Sequence, residues 1–214
     1  MTLAIPRLDR STTAERGLTI ADFLVPISVG ERVHAKVRDA VLVVAGALLI
    51  YLTARIAIPV PGSPVPITGQ TFGVLLVGGA LGFRRGLIAV ALYVLLGVVG
   101  LPFFAEGKGG LSVIWGTTGG YLIGFILAGA VVGRLAELGW DRRIGGALGA
   151  MLVGSAIIYG IGMPWLQAVT GWTVQETIAK GLTPFILGDA LKLALAAALF
   201  PVAWWVVGRR PDDR

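Results

Sequence analysis

Residues 182–207 read LTPFILGDALKLALAAALFPVAWWVV, a segment apolar enough to cross a bilayer that nevertheless contains one carboxylate and one ammonium group. Asp189 and Lys192 are three residues apart, so a helix would place both side chains on one face, one turn apart. Each charge would cost about 2.5 to 3.5 kcal/mol near the centre of a bilayer. Because ionisable residues inside membranes mark functional sites by default, this pair is the first candidate for one.

The composition of the whole chain is that of an integral membrane protein. It has 214 residues, of which 56% are hydrophobic and 14% charged, and its mean hydropathy is +0.84. There is no cysteine, and the single histidine, His34, lies in the polar N-terminal part, so we expect no metal site and no catalytic residue. The net charge of +6 comes from basic residues that flank apolar runs, which argues against a nucleic-acid partner.

Hydrophobic runs predict an all-α, polytopic fold, a compact bundle of six transmembrane helices. The expected spans are residues 38–57, 69–83, 86–101, 117–136, 145–164 and 182–207. Fourteen Arg and Lys residues fall on one side of these spans and three on the other, which predicts that both termini are cytoplasmic.

The same pattern divides the chain into three parts. Residues 1–36 are expected to form a polar cytoplasmic leader that is partly disordered, with residues 20–29 as a weak interfacial segment. Residues 37–208 would form the transmembrane domain, and residues 209–214 a cytoplasmic tail.

The connections on the outer side are long and rich in proline or glycine. Residues 59–66 contain four prolines, and residues 102–116 contain several glycines. Irregular backbone near membrane depth is tolerated only where protein buries it or where it lines a cavity. We therefore expect a binding pocket on the outer face. Glycines four residues apart, such as Gly78 with Gly82 and Gly129 with Gly133, favour close helix packing.

Several side chains could line such a pocket, and each also has a plainer interpretation. Asp189 and Lys192 suit a neutral amide-like or urea-like group, or they form an internal ion pair that only fixes the helix. Gln70 offers a donor and an acceptor, or it bonds neighbouring backbone. Lys108 could meet an anionic ligand tail, or it is a solvated loop lysine. The candidate aromatic walls, which could equally be packing residues, are Phe103, Phe104, Trp115, Tyr121, Tyr159 and Trp165.

Four motifs occur in a fixed order along the chain, and together they resemble the BioY family, the biotin-binding S subunits of energy-coupling factor (ECF) vitamin transporters. The motifs are VPITGQT at 65–71, GLPFFA at 100–105, GTTGGYLIGF at 116–125 and PFILGDALK at 184–192. The resemblance covers about residues 38 to 208.

This resemblance implies a biotin pocket that opens to the outside. Asp189 and Lys192 would engage the ureido ring, Thr68 and Gln70 would lie at the entrance, and the loop carrying Phe104 would cap the pocket. Lys108 would meet the valerate carboxylate. We add Tyr121 and Tyr159 as aromatic contacts of the ligand.

The resemblance also implies a function and partners. The chain would capture biotin outside the cell and deliver it inward as part of an ECF-type ABC transporter, in the plasma membrane of a prokaryote. Its partners would be a transmembrane coupling subunit and two ABC ATPase subunits, which alone would bind ATP, so this chain needs no cofactor. The alternatives are an S subunit for another small vitamin, or an intramembrane enzyme that uses Asp189 and Lys192.

Overall fold

The computed structural model describes residues 19–24 and 32–206, and most of them are helical. The helices of this part of the chain are α1 (Ile20–Leu24), α2 (Arg32–Ala54), α3 (Gln70–Val98), α4 (Leu111–Trp115), α5 (Gly119–Glu137), α6 (Ile144–Thr170), α7 (Val174–Gly181) and α8 (Ile186–Val206). Single 3₁₀ turns lie at Ala105–Gly107, Trp140–Arg142 and Thr183–Phe185. Two-residue strands, β1 (Ala57–Ile58) and β2 (Ile67–Thr68), pair antiparallel across the proline-rich connection, with Ala57 opposite Thr68.

Helix α3 folds back on itself at Gly82. Gly82 has φ 82° and ψ −177°, a conformation that residues with a side chain rarely adopt. A Cβ on Gly86 would lie only 3.0 Å from the Cα of Gly78, and the side chain of Gln70 bonds that of Tyr93. In a straight helix these pairs would be about 12 and 35 Å apart. The two arms of α3 are therefore antiparallel, as the separately predicted spans 69–83 and 86–101 require.

Glycine lets α3 approach α5 closely. A Cβ on Gly78 would lie 2.5 Å from the carbonyl oxygen of Gly129, and one on Gly133 would lie 2.5 Å from the carbonyl carbon of Gly82. The two pairs with four-residue spacing thus face each other, and the packing interpretation is confirmed for both. About two thirds of the most apolar stretch of α5 is buried, more than in any other long helix described, so α5 lies at the centre of the bundle.

The outer faces of the bundle are apolar. Val41, Val44, Leu48 and Leu52 form an exposed stripe on α2, and α8 carries a similar row of leucines. Of the described helices, five are long and apolar enough to cross a membrane, and one of these is the folded-back α3. The predicted all-α membrane fold is confirmed, and the chain is a multi-pass membrane protein. The predicted number of six spans is reached only when each arm of α3 is counted as one span.

One end of the bundle is closed by charged side chains. The carboxylate of Asp22 in α1 lies 2.9 Å from the guanidinium of Arg85, just after the turn of α3, and 3.4 Å from that of Arg38 in α2. Burial acts to raise the pKa of Asp22, but hydrogen bonds from Arg85 and Thr19 outweigh it and hold that pKa below its usual value. At the same end, Trp204 near the end of α8 donates to Asp141 (2.7 Å). The described beginning and end of the chain therefore lie on one side.

Several helix boundaries differ from the predicted spans. Helix α2 begins at Arg32, inside the stretch predicted as leader; most of that leader and the tail lie outside the described residues. Helix α6 continues through Pro164 to Thr170 rather than ending at 164, and Gly160, four residues before the proline, has open space around it. The connection between the predicted spans 145–164 and 182–207 contains α7, whose start is capped by the reciprocal hydrogen bonds of Thr173 and Glu176.

Candidate functional site

A cavity of about 390 Å³ lies at the end of the bundle opposite the charged cluster around Asp22. The proline-rich connection, the loop from Phe104 to Thr118 and the junction of α7 and α8 form its walls. All eight predicted site residues line this cavity: Thr68, Gln70, Phe104, Lys108, Tyr121, Tyr159, Asp189 and Lys192. The volume falls in the lower part of the range of about 300 to 1,000 Å³ typical of small-molecule sites.

The two intramembrane charges form an ion pair in the cavity wall. Helix α8 places Lys192 one turn after Asp189, with Nζ 2.8 Å from the carboxylate. Lys192 also donates to Thr71 Oγ1 (3.2 Å), and the hydroxyl of Tyr159 donates to the other carboxylate oxygen of Asp189. The side chains of Asp189 and Lys192 are 12% and 18% exposed. The pair is therefore internal, as its plainer interpretation holds, and it is also open to the cavity.

The side chain of Gln70 bonds a distant side chain, not the neighbouring backbone of its plainer interpretation. It is only 5% exposed, and its amide nitrogen donates to the hydroxyl of Tyr93, while the residue still lines the cavity. Tyr93 is fully buried and 23 residues away in sequence, and the fold-back at Gly82 brings it to Gln70. Sequence reasoning missed Tyr93 because no spacing rule connects the two arms of α3.

Phe104 is a buried part of the wall. It is 2% exposed, and its ring packs edge-on against Tyr93 with centroids 5.9 Å apart. Gly97 on the second arm of α3 provides the space, because a Cβ there would lie 2.3 Å from the ring. The backbone of the loop is anchored at the same place, where Gly110 N donates to Gly97 O (2.7 Å).

Tyr121 and Tyr159 form a second aromatic wall. Their rings meet edge-on with centroids 6.1 Å apart, and the Tyr121 hydroxyl donates to the carbonyl oxygen of Gly181 (3.2 Å). That bond ties α5 to the end of α7, so this wall also holds together two of the elements that border the cavity.

Three other predicted aromatic walls are packing residues instead. Phe103 does not line the cavity; its ring lies 4.5 Å from that of Tyr51. Trp115 and Trp165 stack on each other at 6.2 Å, and the indole of Trp165 donates to the carbonyl oxygen of Gly116 (3.0 Å). Neither tryptophan is among the residues that line the cavity.

The mouth of the cavity carries a second, more exposed ion pair. Lys108 pairs with Glu106 two residues earlier, and their side chains are 59% and 33% exposed. Among the described residues that line the cavity, Asp189 and Glu106 are the only carboxylates, and each is paired with a lysine. Within residues 19–24 and 32–206, no three metal-ligating side chains cluster. The site is thus built for a ligand with a neutral polar group at one end and an apolar body.

Comparisons with known proteins point to one family. The model of the BioY family matches residues 28–209. The biotin transporter BioY of Thermotoga maritima is 40% identical over 158 residues, which cover 74% of this chain and 92% of that protein. The biotin transporter BioY of Rhizobium etli is 36% identical over 170 residues, 76% of this chain and 90% of the relative.

A solved structure agrees with these relatives. The S-component for biotin from an ECF-type ABC transporter superposes with a TM-score of 0.73 and 26% identity, covering 81% of this chain and 94% of that one. The family and these relatives are transporters, which favours transport over the alternative of an intramembrane enzyme.

Proposed function

Because this chain belongs to the BioY family, we propose that it is the membrane-embedded subunit that captures biotin outside the cell and delivers it inward as part of an ECF-type ABC transporter. The observation that carries the proposal beyond the family is the paired Asp189 and Lys192 in the wall of the cavity. The chain acts as a transporter subunit and not as an enzyme.

The hydrogen-bonding capacity of the pair suits the cyclic urea of biotin, which has two N–H donors and one carbonyl acceptor. A carboxylate has about four lone-pair sites, of which Lys192 and Tyr159 use two on Asp189. An ammonium has three donors, of which Asp189 and Thr71 take two on Lys192. In this proposal Asp189 accepts from a urea N–H, and the third donor of Lys192 bonds the urea carbonyl.

The rest of the lining suits the remainder of the ligand. The rings of Tyr121 and Phe125 and the side chain of Ile158 offer apolar contact to the thioether ring and the aliphatic chain. Thr68 and Gln70 add polar groups at the entrance of the pocket, and Lys108 at the mouth meets the carboxylate of the valerate tail.

Energy and further subunits come from outside this chain. We propose that a transmembrane coupling subunit and two ABC ATPase subunits complete the transporter, and that only the ATPases bind ATP. The excess of basic residues at the end of the bundle around Arg85 supports a cytoplasmic position for that end. The cavity then faces the outside of the plasma membrane of a prokaryote, where the vitamin is captured.

Titration of the purified protein tests the proposal. We expect saturable binding of biotin below micromolar concentration and weaker or absent binding of thiamin and riboflavin. Desthiobiotin, which keeps the urea ring and the tail but lacks the sulfur, should bind in competition with biotin. Tighter binding of another vitamin would favour the alternative S-subunit function, and absence of saturable biotin binding would reject the proposal.

A further inference from the structure

Glu106 has an unusual backbone conformation for its residue type. Among the residues that the structure describes, it is the one non-glycine with a positive φ, at φ 59° and ψ 18°. Such strain persists only where the surroundings determine it, and it is concentrated at functional sites. Hydrogen bonds from Phe104 N to Lys108 O (3.0 Å) and from Gly107 N to Phe104 O (3.2 Å) close the turn. The turn therefore fixes the direction of the Glu106 side chain, and this residue lines the cavity.

The carboxylate of Glu106 already pairs with the cation that an anionic ligand tail would bind. It pairs with the ammonium of Lys108, which also lines the cavity at its mouth. Both side chains are partly exposed to solvent, and exposed ion pairs of this kind are held weakly, so an arriving anion can exchange with Glu106. Arg55, another cation beside this turn, lies over the ring of Tyr51 and donates to the carbonyl of Pro102, and it does not line the cavity.

The charge at the mouth follows from this pairing. Without ligand, Glu106 and Lys108 neutralise each other. When a ligand with an anionic tail binds, two carboxylates share one ammonium, and each weakens the hold of the other. A ligand with a neutral tail meets no such competition.

We infer that Glu106 is a specificity-determining residue that competes with the tail carboxylate of the ligand for Lys108. It thereby limits the preference of the site for acidic over neutral tails. The inference rests on the proposed function, in which Lys108 meets the valerate carboxylate of biotin, and adds the residue that opposes this contact.

Affinities for biotin and biotin methyl ester, measured by calorimetric titration, test the inference. The measured quantity is the ratio of the two affinities, acid over ester. Glu106→Gln keeps the shape of the side chain and removes its charge, and we expect the ratio to rise about two- to fivefold, with a smaller rise at high salt. Lys108→Gln should bring the ratio close to one and make it insensitive to residue 106.

Glu176→Gln provides the matched control. Glu176 is exposed in the first turn of α7 and does not line the cavity, and glutamine also fits its capping position. This substitution removes the same charge from the outer end of the protein, so it should leave the ratio unchanged.

Four outcomes would overturn the inference. An unchanged ratio in Glu106→Gln would mean that the carboxylate does not compete, and a lower ratio would mean that it positions Lys108 for the ligand. A rise in Glu106→Gly without a rise in Glu106→Gln would assign the effect to backbone strain instead of charge. If the unaltered protein bound neither ligand, the proposed function would fall and this inference with it, whereas binding of both with an unresponsive ratio would reject the inference alone.

Discussion

Replacing Asp189 by Asn separates a ligand-binding role of the ion pair from a purely structural one. The substitution keeps the shape of the side chain but replaces one oxygen acceptor by an NH₂ donor. Asp189 accepts from Lys192 and Tyr159, so an amide at this position faces two donors with a single oxygen. One of these donors loses its partner, and the carboxylate that would receive a urea N–H is gone.

The magnitude follows from these lost contacts. A hydrogen bond to a charged group contributes about 1.5 to 3 kcal/mol, so the affinity for biotin should fall about 10- to 150-fold. The protein should also become less stable, because Lys192 keeps its charge at 18% exposure without its partner. Calorimetric titration would measure the first effect, and thermal unfolding in the same detergent would measure the second.

A double variant resolves the two effects. Asp189→Asn combined with Lys192→Met removes both charges, so the unpaired ammonium no longer destabilises the protein and the melting temperature should recover. Biotin affinity should stay low, because neither the carboxylate acceptor nor the ammonium donor is present. Unchanged affinity in the single variant, or recovery of affinity in the double variant, would refute the proposed role of the pair and leave an ion pair that only fixes α8.

Three further predictions concern residues around the site and at the opposite end. Thr71→Val should weaken biotin binding about 2- to 12-fold, because Lys192 loses a neutral hydrogen-bond partner, and Thr71→Ser should restore it in the same titration. Gly97→Ala should destabilise the protein by about 1 to 3 kcal/mol and lower its affinity, since the new methyl group would meet the ring of Phe104; unaltered melting and binding would contradict the packing described. Burial raises the pKa of Asp141 to about 6 against an ordinary value of 3.8, so the contribution of this residue to stability is present below about pH 4 and is lost as pH rises through 6. Asp141→Asn should therefore make the free energy of unfolding depend less on pH over this range. An equal dependence in both proteins would contradict this prediction.

Local spacing was sufficient to predict part of the site. Asp189 and Lys192 share a helix face because they are three residues apart, and the structure places both in the cavity wall. Gln70 follows a proline-rich connection that cannot be helical, and it lines the cavity, as does Thr68, which only the resemblance to the family indicates. In each case the geometry depends on neighbours within one turn or one loop, which a sequence pattern describes well.

Contacts between distant segments could not be predicted in the same way. The bond between Gln70 and Tyr93 depends on the reversal of α3 at Gly82. The gap between the predicted spans 69–83 and 86–101 indicates a turn there, but it does not predict which residues of the two arms face each other. The exclusion of Trp115 from the cavity depends on its stacking against Trp165 from another helix. Whether an aromatic residue in a membrane bundle lines the cavity or packs against other helices depends on such partners. Composition alone therefore does not separate cavity-lining from packing residues.

The reversal of α3 at Gly82 also determines how this part of the chain can be inserted during synthesis. At 1.5 Å per residue the arm from Gln70 to Leu81 is about 18 Å long and the arm from Phe83 to Val98 about 24 Å. Both are shorter than the roughly 30 Å of hydrocarbon, so neither is a complete insertion signal. We therefore expect the two arms to enter the bilayer together as a hairpin, with Arg84 and Arg85 at its tip. On this expectation, insertion of the protein depends on a turn that lies at the end of the bundle opposite the cavity.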